Sequence, residues 1–440
     1  MTFDPVSASL REKLARWYGR RRGAKKAGLH RQHALMSALK LPRPQYPTVH
    51  ITGTNGKTST AQMTAALLRA HGWRTGLYTS PHLHRVNERV QVDAEPIDDA
   101  DLSELIDVVE QAAQTAAAGC GEEPTFFELM TALALLHFAQ VGVDAAVIEV
   151  GIGGDTDATN VIGAPVAIIG SVGHDHADQL GTRLEDIAAR KAGIIAESAT
   201  VLSGPQDDVV DTVIAAHARR MDARLHRYGH DFSARLVRSS GGGQEVDICS
   251  PAGGPMRAWL SLLGEHHRVN AALAVAAAEA VMSIDPGVAA AALSQWSAPG
   301  RGEVVSRRFG VDVWLDGAHN AAASQAMVKT LHTRYGQHRV VAIVGMMSDK
   351  DTVSVLTTLS MVADRFISVS LPQARAADAD TLTTIIASAG GSHMSAADLR
   401  EAFALADGVA SDDDVIVVTG SLYLVAAARQ WLAEDGGRER

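Results

Sequence analysis

Short apolar runs recur along the chain. Each ends in glycine or a polar residue, and each is followed by apolar residues at steps of three and four. In the first half the runs read as strands at Val49–Thr52, Thr75–Thr79, Ala145–Val150 and Pro165–Val172. Met63, Ala66, Leu67 and Ala70 mark one face of a helix after the first run. Leu102, Leu105, Ile106 and Val109 mark another helix, which Asp98 starts. In the last third, runs at 311–316, 339–345, 364–370 and 413–419 alternate with helical patterns in the same way. Such alternation predicts an α/β fold with mostly parallel sheets. Residues 10–40 read as helices around a basic patch, Arg20, Arg21, Arg22, Lys25 and Lys26. That patch is either a solvated face, the usual role of such runs, or an attractor of anionic substrate. Residues 205–262 read as irregular, with Gly241–Gly243 at a hairpin or loop tip. Pro299-Gly300 breaks helix and strand alike. It divides the chain into a larger unit, 1–298, and a smaller α/β unit, 299–440.

The polar residues that end these runs carry the chemistry. Val49 to Thr60 has the strand, loop and helix order of a phosphate-binding loop, here in a compact G-x-x-G-K-[ST] form with Ile51 where a Walker pattern has its first Gly. Gly53 and Gly56 let the backbone turn several N–H groups toward one anion, and the helix start adds its positive dipole end. Lys57, read as sitting on an exposed loop, brings a full charge, and Thr58 or Ser59 a hydroxyl for Mg²⁺. Ser80 follows the second run. Glu149 ends the third, where a carboxylate needs a partner or a cation. Gly151, Gly153, Gly154, Asp155, Asp157, Thr159 and Asn160 then suit a loop passing close to phosphate and metal. His174-Asp175-His176 follows the fourth run. Lys57, Ser80, Glu149 and His176 are therefore expected along one sheet edge.

Other residues are ambiguous. Thr125-x-x-Glu128 and Thr182-x-x-Glu185 are capping boxes, and the first alone accounts for Glu128. Phe126 and Phe127 either pack in the core or line a flat aromatic ligand. Arg190 and Lys191 sit on the helix after the second box. Asn270 is either the N-cap of an alanine-rich helix or a contact to a base. In the smaller unit Asp316-Gly317-Ala318-His319-Asn320 ends the first run.

Charge and cysteine content narrow the class. The 440 residues carry 40 Lys and Arg against 50 Asp and Glu, a net charge of −10 that argues against nucleic acid as a partner of the whole chain. Two cysteines, Cys120 and Cys249, fit a reducing compartment rather than a disulfide scaffold. No signal peptide or membrane span is read, so the expected place is the cytoplasm.

In order and spacing these motifs resemble the folylpolyglutamate synthase/dihydrofolate synthase family of the Mur ligase superfamily. The likeness runs from Gly28-Leu29 to Gly420-Ser421-Leu422 and takes in Lys191-Ala192-Gly193-Ile194 and Asp349-Lys350-Asp351. The resemblance implies a phosphate-loop domain of the Mur central type followed by a smaller Rossmann-like domain. It implies a monomer acting on small molecules: ATP, L-glutamate and a pteroate or folate, joined through an acyl phosphate. By resemblance Gly53, Thr54, Asn55, Gly56, Lys57 and Thr58 bind the ATP phosphates, and Asn270, Arg301 and Asp316 make nucleotide contacts, the last two from the smaller domain. Ser80, Glu149, His176 and Thr58 resemble Mg²⁺ ligands. Lys191 resembles a lysine the family carbamylates to hold a second Mg²⁺. Thr125, Phe126, Phe127, Glu128, Thr156, Asp157 and Ala158 resemble the pteroate-side pocket, and Lys57, Lys191 and His319 are the candidate catalytic groups.

Five positions depart from the family pattern. Thr58 stands for a usual Gly, Asp155 for Arg, Arg190 for Glu, His267 for Gln and Ala321 for Pro. An anionic substrate group that met Arg would meet Asp155 instead, so a moved substrate preference is one hypothesis. A related ligase joining a different acid and amine, and a nucleotide-dependent switch, are the competing readings.

Overall fold

The computed structural model describes residues 8–20, 28–308, 311–336, 338–373, 375–411 and 413–435. Of the basic patch, Arg21, Arg22, Lys25 and Lys26 lie outside them. By compactness the chain forms two units. One holds the residues up to Val237, Glu245–Trp259 and Arg268–Trp296, and the other Arg238–Gln244, Leu260–His267 and the chain from Ser297 on.

The first unit is built on eight strands: β1 Thr48–Thr52, β2 Thr75–Tyr78, β3 Val90–Val92, β4 Glu95–Pro96, β5 Ala145–Glu149, β6 Val166–Ile169, β7 Thr200–Ser203 and β8 Arg224–Arg227. Their order is β4-β3-β2-β5-β1-β6-β7-β8. From β2 to β8 neighbours pair parallel, while β3 and β4 add antiparallel at one edge. All five residues of β1 are buried, as in a sheet covered on both faces. One core cluster gathers Leu10, Trp17, Leu35, Tyr78, Phe138 and Ile148, so the helices Ala8–Gly19, His30–Ala38 and Phe126–Val141 share one side of the sheet with β2 and β5. The chain leaves β1 toward β2 and leaves β5 toward β6, on opposite sides. The carboxyl ends of β5, β1 and β6 thus flank a topological switch point, where open α/β sheets bind ligands.

Residues 205–262 are ordered, against the sequence reading. They hold the helix Asp208–Arg220, then β8, and then β9 Ser233–Ser240, β10 Gly243–Cys249 and β11 Met256–Leu260 in a three-stranded sheet. The expected tip at Gly241-Gly242 stands, between β9 and β10. These strands lack an apolar run because most of β9 is exposed and only alternate residues of β10 and β11 are well buried.

The second unit holds β12 Arg301–Arg308, β13 Val311–Asp316, β14 Val340–Val344, β15 Ala363–Val369, β16 Ser392–Ala396 and β17 Val415–Thr419, in the order β12-β13-β17-β14-β15-β16. The five strands from β13 to β16 in that order pair parallel, and β12 runs antiparallel to β13. The two strands without an apolar signature, β12 and β16, are the two edges. Trp314, Leu356, Phe366 and Val417 centre this unit's core. Among the described residues no helix is long and apolar enough to cross a membrane.

Candidate active site

Four polar loops follow four adjacent strands, β2, β5, β1 and β6, and the sheet order sets them side by side. The phosphate-type loop, Gly53–Gly56, joins β1 to the helix Lys57–Ala70. Gly56 has φ +79°, and a Cβ there would lie 2.5 Å from Asn270 Oδ1, so both backbone and space require glycine. Lys57 is the first residue of the helix rather than part of an exposed loop. Its Nζ donates to the Gly53 and Thr54 carbonyls at 3.0 and 3.2 Å.

Glu149 is buried at the end of β5. Its carboxylate accepts from the Thr58 hydroxyl at 2.9 and 3.0 Å and from the Ser80 N–H at 3.1 Å, which unites three of the predicted residues. Lys191 is buried, and its Nζ donates to Gly53 O at 2.8 Å. Burial, and then the neighbouring Lys57 charge, push its amine down to about 7 against the pull of Asp175 and Asp157. His176 lines a cleft with Gly53, Lys57, Gly151, Asp175 and Lys191. Among the described residues no three His, Cys, Asp or Glu gather to hold a metal ion. The groups that meet here are the Glu149 carboxylate and the Thr58 hydroxyl, hard oxygens of the kind that suits Mg²⁺ held alongside substrate phosphates and water.

The loop after β5 is tied down from several sides. Asp157 Oδ2 accepts from the Gly151 and Ile152 N–H groups at 3.0 and 3.1 Å, and Oδ1 from the Thr159 N–H and hydroxyl at 3.0 and 2.5 Å. Burial pushes this carboxyl up, and those donors hold it down. Thr52 on β1 donates to Gly153 O at 2.6 Å. A Cβ on Gly151 would strike the Phe127 ring at 2.6 Å, so the ring lies against the loop. Phe126 instead stacks on Tyr18 with centroids 4.6 Å apart, and the Arg89 guanidinium sits 5.3 Å from its ring. Thr125 and Glu128 form the expected capping box, and Arg31 holds the same carboxylate at 3.0 and 3.1 Å. Thr156 is exposed, and Asp157 and Ala158 are buried. Phe127 and Asp157, expected in one pocket, thus meet through Gly151.

Several sequence readings change here. Asp155 does not present a bare charge, because Arg190 lies 3.5 Å away and the Asp155 N–H donates to Arg190 O at 2.8 Å. The Thr182 box is not formed; the helix starts at Leu184, after Arg183. Asn270 is not an N-cap, since its helix spans Glu265–Val281. It is buried with Oδ1 beside Gly56 and, among the described residues, no partner for Nδ2, which leaves a donor next to the phosphate-type loop. Sequence reasoning gave no role to His50, whose Nε2 lies 2.8 Å from the Thr159 hydroxyl. A histidine inside an apolar strand was the signal for it.

In the second unit Asp316 ends β13 opposite Arg301 of β12. Burial pushes its carboxyl up to about 6, against Arg301 and the N–H groups of Ala318 and Gly302. His319 Nδ1 lies 2.7 Å from Gly317 O, and Asn320 caps the helix Ala321–Tyr335.

The family model for the Mur ligase middle domain matches residues 51–278, and that for the Mur ligase glutamate ligase domain matches residues 300–422. The chain is 35% identical to the dihydrofolate synthase/folylpolyglutamate synthase of Mycobacterium tuberculosis, over 92% of this chain and 90% of that protein. The chain belongs to the folylpolyglutamate synthase/dihydrofolate synthase family. Its activity class is that of these Mur-type enzymes, ATP-dependent ligation of an amino acid to an acid. The folylpolyglutamate synthase of Lacticaseibacillus casei is 34% identical over 92% of this chain and 95% of its own. The fold agrees over nearly its whole length with Mycobacterium tuberculosis folylpolyglutamate synthase complexed with ADP and AMPPCP. The TM-score is 0.89 at 34% identity, with 98% of this chain and 99% of the other covered.

Proposed function

We propose that this ligase joins L-glutamate to dihydropteroate, to a (tetrahydro)folate, or to both. The observation that carries the reading is the gathering of Lys57, Thr58, Ser80 and Glu149 at adjacent strand ends, with Lys191 reaching Gly53 O from the helix Leu184–Ala192, beside the loop on which Phe127 rests. The likeness to folylpolyglutamate synthases, one of them in a structure complexed with ADP and AMPPCP, supports it. So does the likeness to Escherichia coli FolC in complex with DHPP and ADP, with a TM-score of 0.87 at 27% identity over 99% of this chain and 100% of that one.

In this mechanism the substrate carboxylate attacks the γ-phosphorus of ATP, an acyl phosphate forms and ADP leaves. The amine of L-glutamate then attacks the acyl carbon and phosphate leaves. Such transfers depend on alignment and charge neutralisation more than on an acid or base. Gly53 to Thr58 bind the phosphates, and Lys57 balances the charge that develops on them. Thr58, Ser80, Glu149 and His176 would hold Mg²⁺, which supplies further neutralisation when bound. Lys191 is held near its neutral form, the form of an amine that can be carbamylated for a second Mg²⁺. Asn270, Arg301 and Asp316 serve the nucleotide, His319 the reacting groups, and Phe127 with Thr156 to Ala158 the pteroate. The division of labour at 298/299 and a cytoplasmic monomer belong to the same reading. Because Arg190 answers the Asp155 charge, a different acid substrate is the second reading only.

Turnover assays with dihydropteroate, tetrahydrofolate and a panel of other acids test this. Robust glutamylation of either of the first two is expected. Phosphate release driven only by another acid would replace the proposal with the second reading.

A further inference from the structure

His50 lies in the middle of β1 and is wholly buried. Its imidazole meets Thr159, 109 residues later, at 2.8 Å. Four protein donors face the two oxygens of Asp157, so the ionised carboxylate is the form that fits, and it has no place for its own proton. The Thr159 hydroxyl has one proton, and at 2.5 Å from Asp157 Oδ1 that proton points to the carboxylate. The hydroxyl oxygen therefore accepts from His50. This fixes the Nε2–H tautomer and leaves Nδ1, which is buried and has no partner among the described residues, as a bare acceptor. A leucine would fill such a site without stranding a polar atom, so a histidine here costs stability. Thr52, two residues on and on the same face of β1, reaches the same loop through Gly153 O.

We infer that His50 is a positioning residue for ligation. Through Thr159 it fixes the Asp157 carboxylate, and thereby the Gly151–Ala158 segment that carries the Phe127 contact. β1 also leads directly into Gly53–Lys57. The strand thus registers the acid-binding loop against the phosphate loop through two side chains on one face. The inference rests on the acid pocket described under the proposed function.

The test uses the full-length protein with Thr159→Val, Thr159→Ser, His50→Leu and His50→Gln. Thr159→Val keeps shape but removes the relay, and His50→Gln keeps a donor near the Nε2 position. In Thr159→Val and His50→Leu the KM for dihydropteroate rises about tenfold to a hundredfold, while the KM for ATP changes less than about threefold. Thr159→Ser and His50→Gln recover most of that loss. Hydrogen exchange, read without substrate, quickens at Gly151, Ile152 and Thr159 in the two deleted variants and stays unchanged in β6 and β7. Unchanged KM values, or faster exchange spread across the whole sheet, would overturn the inference. If wild-type protein does not turn over dihydropteroate, the substrate reading fails, and the exchange pattern alone decides the relay. Should His50→Leu not fold, the Thr159 pair gives both readouts.

Discussion

Asp157 and Asp316 are aspartates whose carboxyls are both pushed up, one in each unit, and they are held in opposite ways. Asp157 takes four hydrogen bonds from neutral donors, and behind it stands a neutral histidine. Asp316 lies opposite an arginine and takes the Ala318 N–H at 2.8 Å. The first arrangement fixes a loop in one conformation without placing a net cation there. The second sets a carboxylate across the strand pair from an arginine whose charge it feels, and leaves the carboxyl titratable near neutrality. One predicts a rigid wall for a ligand, the other a pair that can exchange partners.

The contrast is sharpest in how stability responds to pH. Burial pushes His50 from its ordinary 6.5 down to about 3. Between those values the unfolded chain binds the extra proton, so this residue makes the protein less stable as pH falls below about 6.5. The loss reaches roughly 5 kcal/mol at the bottom of the window. Unfolding of wild type and His50→Gln in denaturant, from pH 4 to 7, should diverge with wild type losing more on acidification. Parallel curves would mean His50 is not held neutral, and the contrast with Asp316 would collapse.

Lys57→Ala asks where the chemistry sits. Its ammonium donates to two carbonyls of its own loop, so the melting temperature should move by a few degrees at most. Turnover should fall about a thousandfold, equivalent to about 4 kcal/mol of transition-state stabilisation. The same change at His319, whose ring lies against Gly317 O in its own loop, should cost less. The reverse ranking would move the reacting phosphate away from the first unit's loops.

Asp316 carries the opposite sign to His50. Its carboxyl is pushed from 3.8 up to about 6, so the folded state holds the extra proton in that window. Stability from this group is full below about 4 and falls as pH rises to 6, by roughly 3 kcal/mol. Asp316→Asn should remove that slope when melting is followed from pH 3.5 to 7. A wild-type slope that survives the substitution would assign it to another group.

Much of this was legible from apolar runs and the residues that end them. β1, β2, β5 and β6 are buried on both faces, so each reads as a run, and the polar residue after it stands out. Strands buried on one face or at an edge, such as β9, β12 and β16, have no run to read. Asn270 was misplaced because Glu265-His266-His267-Arg268 looks like loop but forms the helix's first turn. The His50–Thr159 contact spans 109 residues and depends on which face of β1 meets the β5 loop, which only the sheet order settles. For the same reason Asp155 and Arg190 read as two separate departures from the family pattern, although they are neighbours in space.

That pair gives the smallest effect and the finest test. Asp155 and Arg190 are each about two-fifths exposed and 3.5 Å apart. An exposed pair of this kind contributes about 0.2–1 kcal/mol. Against the Arg and Glu that the resemblance leads one to expect, this chain has Asp and Arg, so the charges are exchanged across the pair rather than lost. Asp155→Arg alone faces Arg190 with a like charge, which works against the backbone bond from the 155 N–H to Arg190 O that ties down the loop, and should raise the KM for dihydropteroate. Adding Arg190→Glu should return the KM to within about threefold of wild type, the size expected of one weak surface pair. If the double variant instead binds dihydropteroate far better than wild type, the Asp155 charge is sensed by the substrate after all. The loop around Asp157 would then be a specificity element as well as a wall.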